Sequence, residues 1–179
     1  MNPQGALIFI IDTLFSLYIL IVMTHFILQT VRADFYNPIS QFIVNVSSPL
    51  LTPIRQVIPK TAGLDIAALV LIYGLTMLKF TLLFLVSEHA LPTLNTLWLV
   101  SLLDCIKMVL QFYWFAILIV VIMSWIPNSG NTPIGYLLYQ ITEPLLARVR
   151  RAVAPIGGID LSPLIVLFAL SIVQILFRF

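Results

Sequence analysis

The sequence predicts an all-α membrane protein with four transmembrane helices, arranged as two parallel repeats of two spans each. Three observations predict this fold class: the composition, four long apolar runs, and a similarity of the chain to itself. Of the 179 residues, 61% are hydrophobic and only 9% are charged, whereas a soluble domain carries about 25% charged residues. So few charges cannot cover a soluble globule, which excludes a soluble enzyme, a nucleic-acid-binding domain and a disordered tail.

Four apolar runs reach or approach the roughly 20 helical residues needed to cross a bilayer core. They cover residues 6–31, 64–86, 97–126 and 161–177. We expect the first run to be a retained span rather than a signal peptide, because it is long and no Lys or Arg precedes it.

The basic residues predict the orientation of the chain. The two long connections hold six of them, Arg32, Arg55, Lys60, Arg148, Arg150 and Arg151, whereas the short connection between the second and third runs has none. Arg178 is the only one near a terminus. Cytoplasmic loops carry an excess of Lys and Arg, so we expect both long connections in the cytoplasm and both termini on the outer side.

The chain resembles itself at an offset of 95 residues. The matched pairs include Pro38 and Pro133, Pro49 and Pro144, Arg55 and Arg150, Gly63 and Gly158, and Asp65 and Asp160. We therefore expect two repeats, residues 1–96 and 97–179. Each has two spans, an even number, so both repeats keep the same orientation and are parallel rather than inverted.

Each long connection is predicted to hold two short helices separated by a bend. Asn37–Pro38 and Thr132–Pro133 are typical of a capping residue followed by proline at the first helical position. A second helix start is indicated at Pro49 and at Pro144.

The later helix of each connection is predicted to be amphipathic, with its basic residues opposite an apolar face. Such a helix lies in the membrane interface. Arg55, Arg148, Arg150 and Arg151 are therefore candidates for contact with anionic lipid headgroups, or with a protein partner or other anionic ligand. The alternative is that these arginines only set the topology.

Two aspartates stand where the second span of each repeat begins. Asp65 and Asp160 follow shortly after Gly63 and Gly158. We expect each aspartate to cap the helix that follows it, since a carboxylate is stabilised at a helix N-terminus.

Four ionisable residues fall inside the predicted spans: Asp12, Lys79, Asp104 and Lys107. Two acids and two bases at a similar depth sum to zero, which favours interhelical ion pairs that fix helix packing. A cation or proton path, and lysine side chains that extend to the outer interface, are the alternatives.

No residue pattern indicates catalysis, a metal or a cofactor. The chain lacks the Ser–His–Asp, HExxH, phosphate-loop and glycine-rich fingerprints. The single cysteine, Cys105, excludes an internal disulfide. His25 and His89 are expected near opposite ends of spans, so they do not form a haem-binding pair.

The connections carry a family resemblance. Residues 48–55 with Gly63–Asp65, and residues 143–151 with 155–163, resemble the YggT repeat. The first copy departs from the family's form at Pro53, which faces Arg148, and at 67–68, which face 162–163.

The resemblance implies a multi-pass protein of the bacterial inner membrane, with chloroplast relatives linked to haem attachment on cytochrome b6 and to nucleoid or division organisation. It also implies bacterial relatives linked to osmotic-stress tolerance through potassium uptake. We therefore predict a non-catalytic protein that organises or helps assemble membrane components, with membrane lipids, a membrane protein or a second copy of itself as partners. The alternative is a component of potassium or proton transport.

Overall fold

The computed structural model describes residues 3–58, 64–153 and 160–176. Within them the chain forms six α-helices and one 3-10 turn, and no β-strand. The helices are α1 (Pro3–Thr30), α2 (Pro38–Val57), α3 (Ile66–Glu88), α4 (Leu94–Ser124), α5 (Pro133–Ala152) and α6 (Ser162–Leu176), and the 3-10 turn covers Ser129–Asn131. The all-α prediction is confirmed.

Three helices, α1, α3 and α4, are long and apolar enough to cross a membrane. The fourth expected span corresponds to α6, which is apolar but has 15 described residues. At 1.5 Å per residue such a helix is about 22 Å long, shorter than a hydrocarbon core of about 30 Å. The fourth span therefore stays a prediction.

The prediction of two short helices in each long connection is wrong. In the described part of each connection, one continuous helix of 20 residues, α2 or α5, has Pro49 or Pro144 in its interior rather than at a start. An interior proline removes one backbone hydrogen bond. Residues on both sides of each proline are buried, Ser47 with Leu51 and Thr142 with Leu146, so the packed face of the helix continues past the proline.

The first residues of α2 and α5 are capped as the sequence predicts. The Asn37 side chain accepts a hydrogen bond from the Ile39 backbone N–H at 2.9 Å. Thr132 accepts one from the Gly135 N–H at 3.1 Å, and Pro133 follows it at the first helical position. The two helices begin and end 95 residues apart, the same offset as the sequence similarity.

Contacts divide the chain into two compact units. The first unit is Met1–Gln29 with Ile43–Ile106. Its buried apolar residues come from α1 (Ile19, Val22, Met23, Ile27, Leu28), α2 (Ile43, Leu51), α3 (Ala67, Ala68, Leu71, Ile72) and α4 (Leu97). Polar contacts add to this packing, since Tyr18 donates to the Val46 carbonyl at 3.3 Å and Tyr73 to the Trp98 carbonyl at 3.1 Å.

The second unit is Thr30–Phe42 with Lys107–Phe179. Its core is a cluster of Ile117, Leu146 and Val166, one residue each from α4, α5 and α6. The segment before α2 belongs here because Asn37 donates to the Pro133 carbonyl at 2.7 Å and the Gln140 amide accepts from the Asp34 N–H at 2.9 Å.

Candidate functional site

An arginine–aspartate ion pair joins the end of α2 to the start of α3 in the first unit. Arg55 contacts Asp65 through two nitrogens, and its Nε donates to Asp65 Oδ2 at 3.0 Å. The Asp65 side chain is only 1% exposed. Asp65 is also the N-cap residue of α3, where it accepts from the Ala68 N–H at 3.3 Å. One carboxylate thus starts the helix and anchors the arginine.

A polar network from α1 and α2 surrounds this pair. His25 is buried and its Nδ1 lies 2.5 Å from Ser47 Oγ, while its Nε2 lies 3.4 Å from an Arg55 nitrogen. With its amide oriented to suit these neighbours, Gln29 donates to Asp65 at 2.8 Å and accepts from Arg55 at 2.7 Å. The buried charges therefore have several hydrogen-bonding partners, as a desolvated ion pair requires.

The second unit has an ion pair at the corresponding positions. The Arg150 Nε and a terminal nitrogen lie 2.9 Å from Asp160 Oδ2, and its other terminal nitrogen donates to Glu143 Oε1 at 2.9 Å. The Asp160 side chain is 35% exposed, so this pair is far more open to solvent than the first. Asp160 also accepts from the Ser162 N–H at 2.9 Å, which orders the entry to α6.

The protonation of Asp160 reflects these neighbours. Ser162 and then the Arg150 guanidinium lower the pKa of the Asp160 carboxyl below its usual value, because both stabilise the carboxylate. Asp160 is therefore charged at neutral pH. Arg150 is paired with two carboxylates of the protein itself, so its charge is already neutralised within the fold.

The four arginines predicted to contact headgroups thus fall into two classes. Arg55 and Arg150 form internal ion pairs. Arg148 and Arg151 lie exposed on α5, and neither forms an ion pair with a described residue. Only the second class has its charge available for a lipid or a partner.

Three of the four charged residues predicted inside the spans lie together in the structure. Lys79, almost fully buried on α3, donates to Asp104 Oδ2 at 2.6 Å, and its Nζ lies 3.6 Å from Asp12 Oδ1. It also donates to Ser16 Oγ at 3.4 Å. Lys107 forms no ion pair among the described residues and belongs to the other unit.

Some predicted residues lie elsewhere. Gly63 and Gly158 fall outside the described residues. Pro49 and Pro144 occupy helix interiors and cap nothing. In the described part of the chain, no three His, Cys, Asp or Glu side chains form a group that could hold a metal.

Sequence reasoning missed several members of the site: the partnership of the arginines with the aspartates, the His25–Gln29–Ser47 network and the role of Glu143. The offset of 95 residues carried a signal for part of it, since Ser47 aligns with Thr142. Both side chains are buried, and they donate to the equivalent carbonyls of Ile43 at 2.7 Å and Leu138 at 2.9 Å.

A family model described as CCB3/YggT matches the chain twice, over residues 4–86 and 99–178. An uncharacterized Pseudomonas aeruginosa protein is 41% identical over 96% of this chain and 87% of its own length. The uncharacterized YggT protein of Escherichia coli K12 is 36% identical over 96% of this chain and 88% of its own.

A shorter similarity connects the chain to a chloroplast protein of Arabidopsis thaliana, CCB3, whose name describes cofactor assembly of complex C. The two are 32% identical over 57 residues, which are 31% of this chain and 33% of the chloroplast protein. No solved structure matches this one.

Proposed function

Since the chain belongs to the CCB3/YggT family, we propose that it is a non-catalytic, multi-pass protein of the bacterial inner membrane that organises or helps assemble other membrane components. Its long connections face the cytoplasm and both termini face outward. The exposed faces of α2 and α5 make the contacts with lipid and partner.

The observation that carries this proposal is the division of α2 and α5 into two faces. Ser47 and Leu51 of α2 are fully buried, whereas Phe42 and Val57 are 61% and 80% exposed. On α5, Thr142 and Leu146 are buried, and Arg148 and Arg151 are exposed. A helix with one packed face leaves the other available for a bilayer interface or a second protein.

The name of the Arabidopsis relative supports the assembly role, because that protein is named for cofactor assembly. Arg55 is paired with Asp65, and Arg150 is paired with Asp160. These two ion pairs support a structural use of the charged groups. We therefore expect the partner in assembly to bind at exposed surfaces rather than at these ion pairs.

Site-specific photocrosslinking in cells tests the partner role. A photoreactive amino acid at the exposed Phe42 is expected to give one reproducible protein adduct in the membrane fraction. The same group at the adjacent Ile43, which is 8% exposed, is the matched control and should give intramolecular products. A Phe42 variant that crosslinks only to lipid contradicts the assembly role.

The lipid contact is proposed for Arg148 and Arg151. A basic residue near an anionic surface contributes about 1 kcal/mol, so Arg148→Gln with Arg151→Gln should weaken retention of anionic lipid by about tenfold or more in detergent-exchange binding. The matched control is Arg150→Gln on the same helix, because Arg150 is already paired with Glu143 and Asp160. Equal losses in both variants contradict the assignment.

A transport role is the second candidate, and one observation favours it. Lys79 contacts two aspartates, so these three residues carry one net negative charge. Cation channels are lined by an excess of acidic side chains. Potassium or proton flux through protein-containing liposomes, reduced by Asp12→Asn, would support transport. Liposomes that pass neither ion contradict it for the isolated protein.

A further inference from the structure

A cavity of about 830 Å³ lies in the second unit, among α4, the 3-10 turn, α5 and α6. This volume is within the range of small-molecule sites. Its walls are mostly apolar, with Val121, Leu164 and Leu167 among them, and Arg150 and Asp160 are the charged residues of the lining. Leu164 is 66% exposed, so the cavity opens at the surface beside apolar side chains.

The two repeats differ in the side chains at the positions that correspond to this cavity. Positions 25 and 29 carry His and Gln, which hydrogen-bond to Ser47, Arg55 and Asp65. The positions 95 residues later carry Val120 and Ser124, which line the cavity. Val120 has no polar group, and the Ser124 hydroxyl donates to the Val121 carbonyl of its own helix at 2.7 Å. Neither residue can form the side-chain hydrogen bonds that His25 and Gln29 form in the first repeat.

The charged residues of the lining indicate the kind of ligand. Arg150 and Asp160 are paired with each other and sum to zero, and Glu143, the other partner of Arg150, lies outside the lining. Tyr136 and Tyr139 add aromatic faces to the lining. Carboxylate and aromatic groups together attract an ammonium group, and a lining without net positive charge does not select an anionic headgroup.

We propose that this cavity binds one amine-bearing phospholipid of the ethanolamine class. Its ammonium group lies at Asp160, and one acyl chain lies along Val121, Leu164 and Leu167. Two apolar side chains of the lining, Trp125 and Leu164, are largely exposed, and an acyl chain would cover them where water would not. The site goes beyond the assembly role and does not depend on it.

Quenching of Trp125 tests the proposal, because Trp125 lines the cavity. The full chain, with Trp98→Phe and Trp114→Phe, is titrated in detergent micelles with acyl-brominated phosphatidylethanolamine or phosphatidylglycerol. Half-maximal quenching is expected at a mole fraction about tenfold lower for the ethanolamine lipid, the size of effect that one charged hydrogen bond gives. Equal midpoints, or a lower one for phosphatidylglycerol, overturn the proposal.

Four variants locate the effect. Asp160→Asn should abolish the preference between the two lipids while keeping an acceptor for the Ser162 N–H. Val120→His with Ser124→Gln, which copies the first repeat, should remove the saturable quenching, and Val120→Phe provides a second filling variant should that pair fail to fold. Ile134→Ala, at an exposed position of the same helix outside the lining, should change nothing. A preference that survives both filling variants places the lipid elsewhere and overturns the site.

Failure of this site and failure of the assembly role are distinguishable. The quenching preference reports only on the cavity of the second unit, whereas the Phe42 crosslink reports on the exposed face of α2. Either result can be negative while the other is positive.

Discussion

The two arginine–aspartate pairs have the same residues and sequence spacing but different surroundings. The Asp65 carboxylate is fully buried, and Asp160 is about one third exposed. Removing one partner of a buried pair costs several kcal/mol, whereas an exposed pair contributes about 1 kcal/mol or less. The environment, rather than the motif, sets what each pair contributes to stability.

Asp65→Asn should therefore destabilise the protein by about 3 kcal/mol, and Asp160→Asn by about 1 kcal/mol or less. Asparagine retains the capping oxygen at both positions, so the comparison isolates the ion pairs. Unfolding by sodium dodecyl sulfate in mixed micelles measures both values. A larger loss for Asp160→Asn would show that burial does not control these pairs.

The lowered pKa of Asp160 predicts a pH dependence. A carboxyl whose pKa is lower in the folded state than its unfolded value of about 3.9 stabilises the fold above that value, and the stabilisation is lost as pH falls through the folded pKa. The stability gap between wild type and Asp160→Asn should be constant from pH 7 to about 5 and shrink below about 4. Thermal unfolding in detergent measures the gap, and an unchanged gap at pH 3 contradicts the pairing.

The buried Lys79 is held by its carboxylate partners. Asp104→Asn should cost about 3 kcal/mol, because it leaves a buried ammonium group with a weaker partner. Combining Lys79→Met with Asp104→Leu should recover most of that loss, since an apolar pair of similar volume needs no compensation. A double-mutant cycle on unfolding free energies measures the coupling, and additive losses would show that the two residues do not interact.

At the level of elements, the sequence signals that predicted bends in α2 and α5 were local. Prolines at 49 and 144 indicate helix starts when only their neighbours are considered. The structure instead has one continuous helix across each proline, with buried residues on either side of it, and tertiary packing of this kind cannot be read from the neighbouring residues alone. The outer caps at Asn37 and Thr132 were predictable since their hydrogen bonds are made within three residues.

The junction between the 3-10 turn and α5 depends on a glycine. A β-carbon on Gly135 would collide with the Ser129 carbonyl oxygen and the Met123 methyl group, whereas one on Gly74 of α3 would meet nothing within 4 Å. Gly135→Ala should therefore destabilise the protein by about 2 kcal/mol. The control Gly74→Ala should be neutral or stabilise it by up to about 1 kcal/mol. Mixed-micelle unfolding measures both, and equal effects would contradict the close approach at Gly135.

For the whole molecule, composition and periodicity were sufficient for the class of fold. Apolar runs predict α1, α3 and α4 because the solvent of a membrane helix is itself apolar. The polar network was not predictable, since His25, Gln29 and Asp65 are brought together by packing across 40 residues of sequence. The offset of 95 residues predicted which positions correspond, but it could not show that one set is filled and the other open.

Orientation is the property of the whole molecule that the basic residues predict. With Cys105→Ser as background, Glu88→Cys and Arg151→Cys place exposed thiols on the short and the long connecting side. A membrane-impermeant maleimide should label Cys at position 88 when only the outer face of the membrane is accessible, and at position 151 only after permeabilisation, because basic loops are retained in the cytoplasm. Glu88 lies at the end of α3 and adds no basic residue, so its substitution leaves the positive-charge bias unchanged. Labelling at 151 before permeabilisation reverses the topology and would put the exposed arginines of α5 outside the cell.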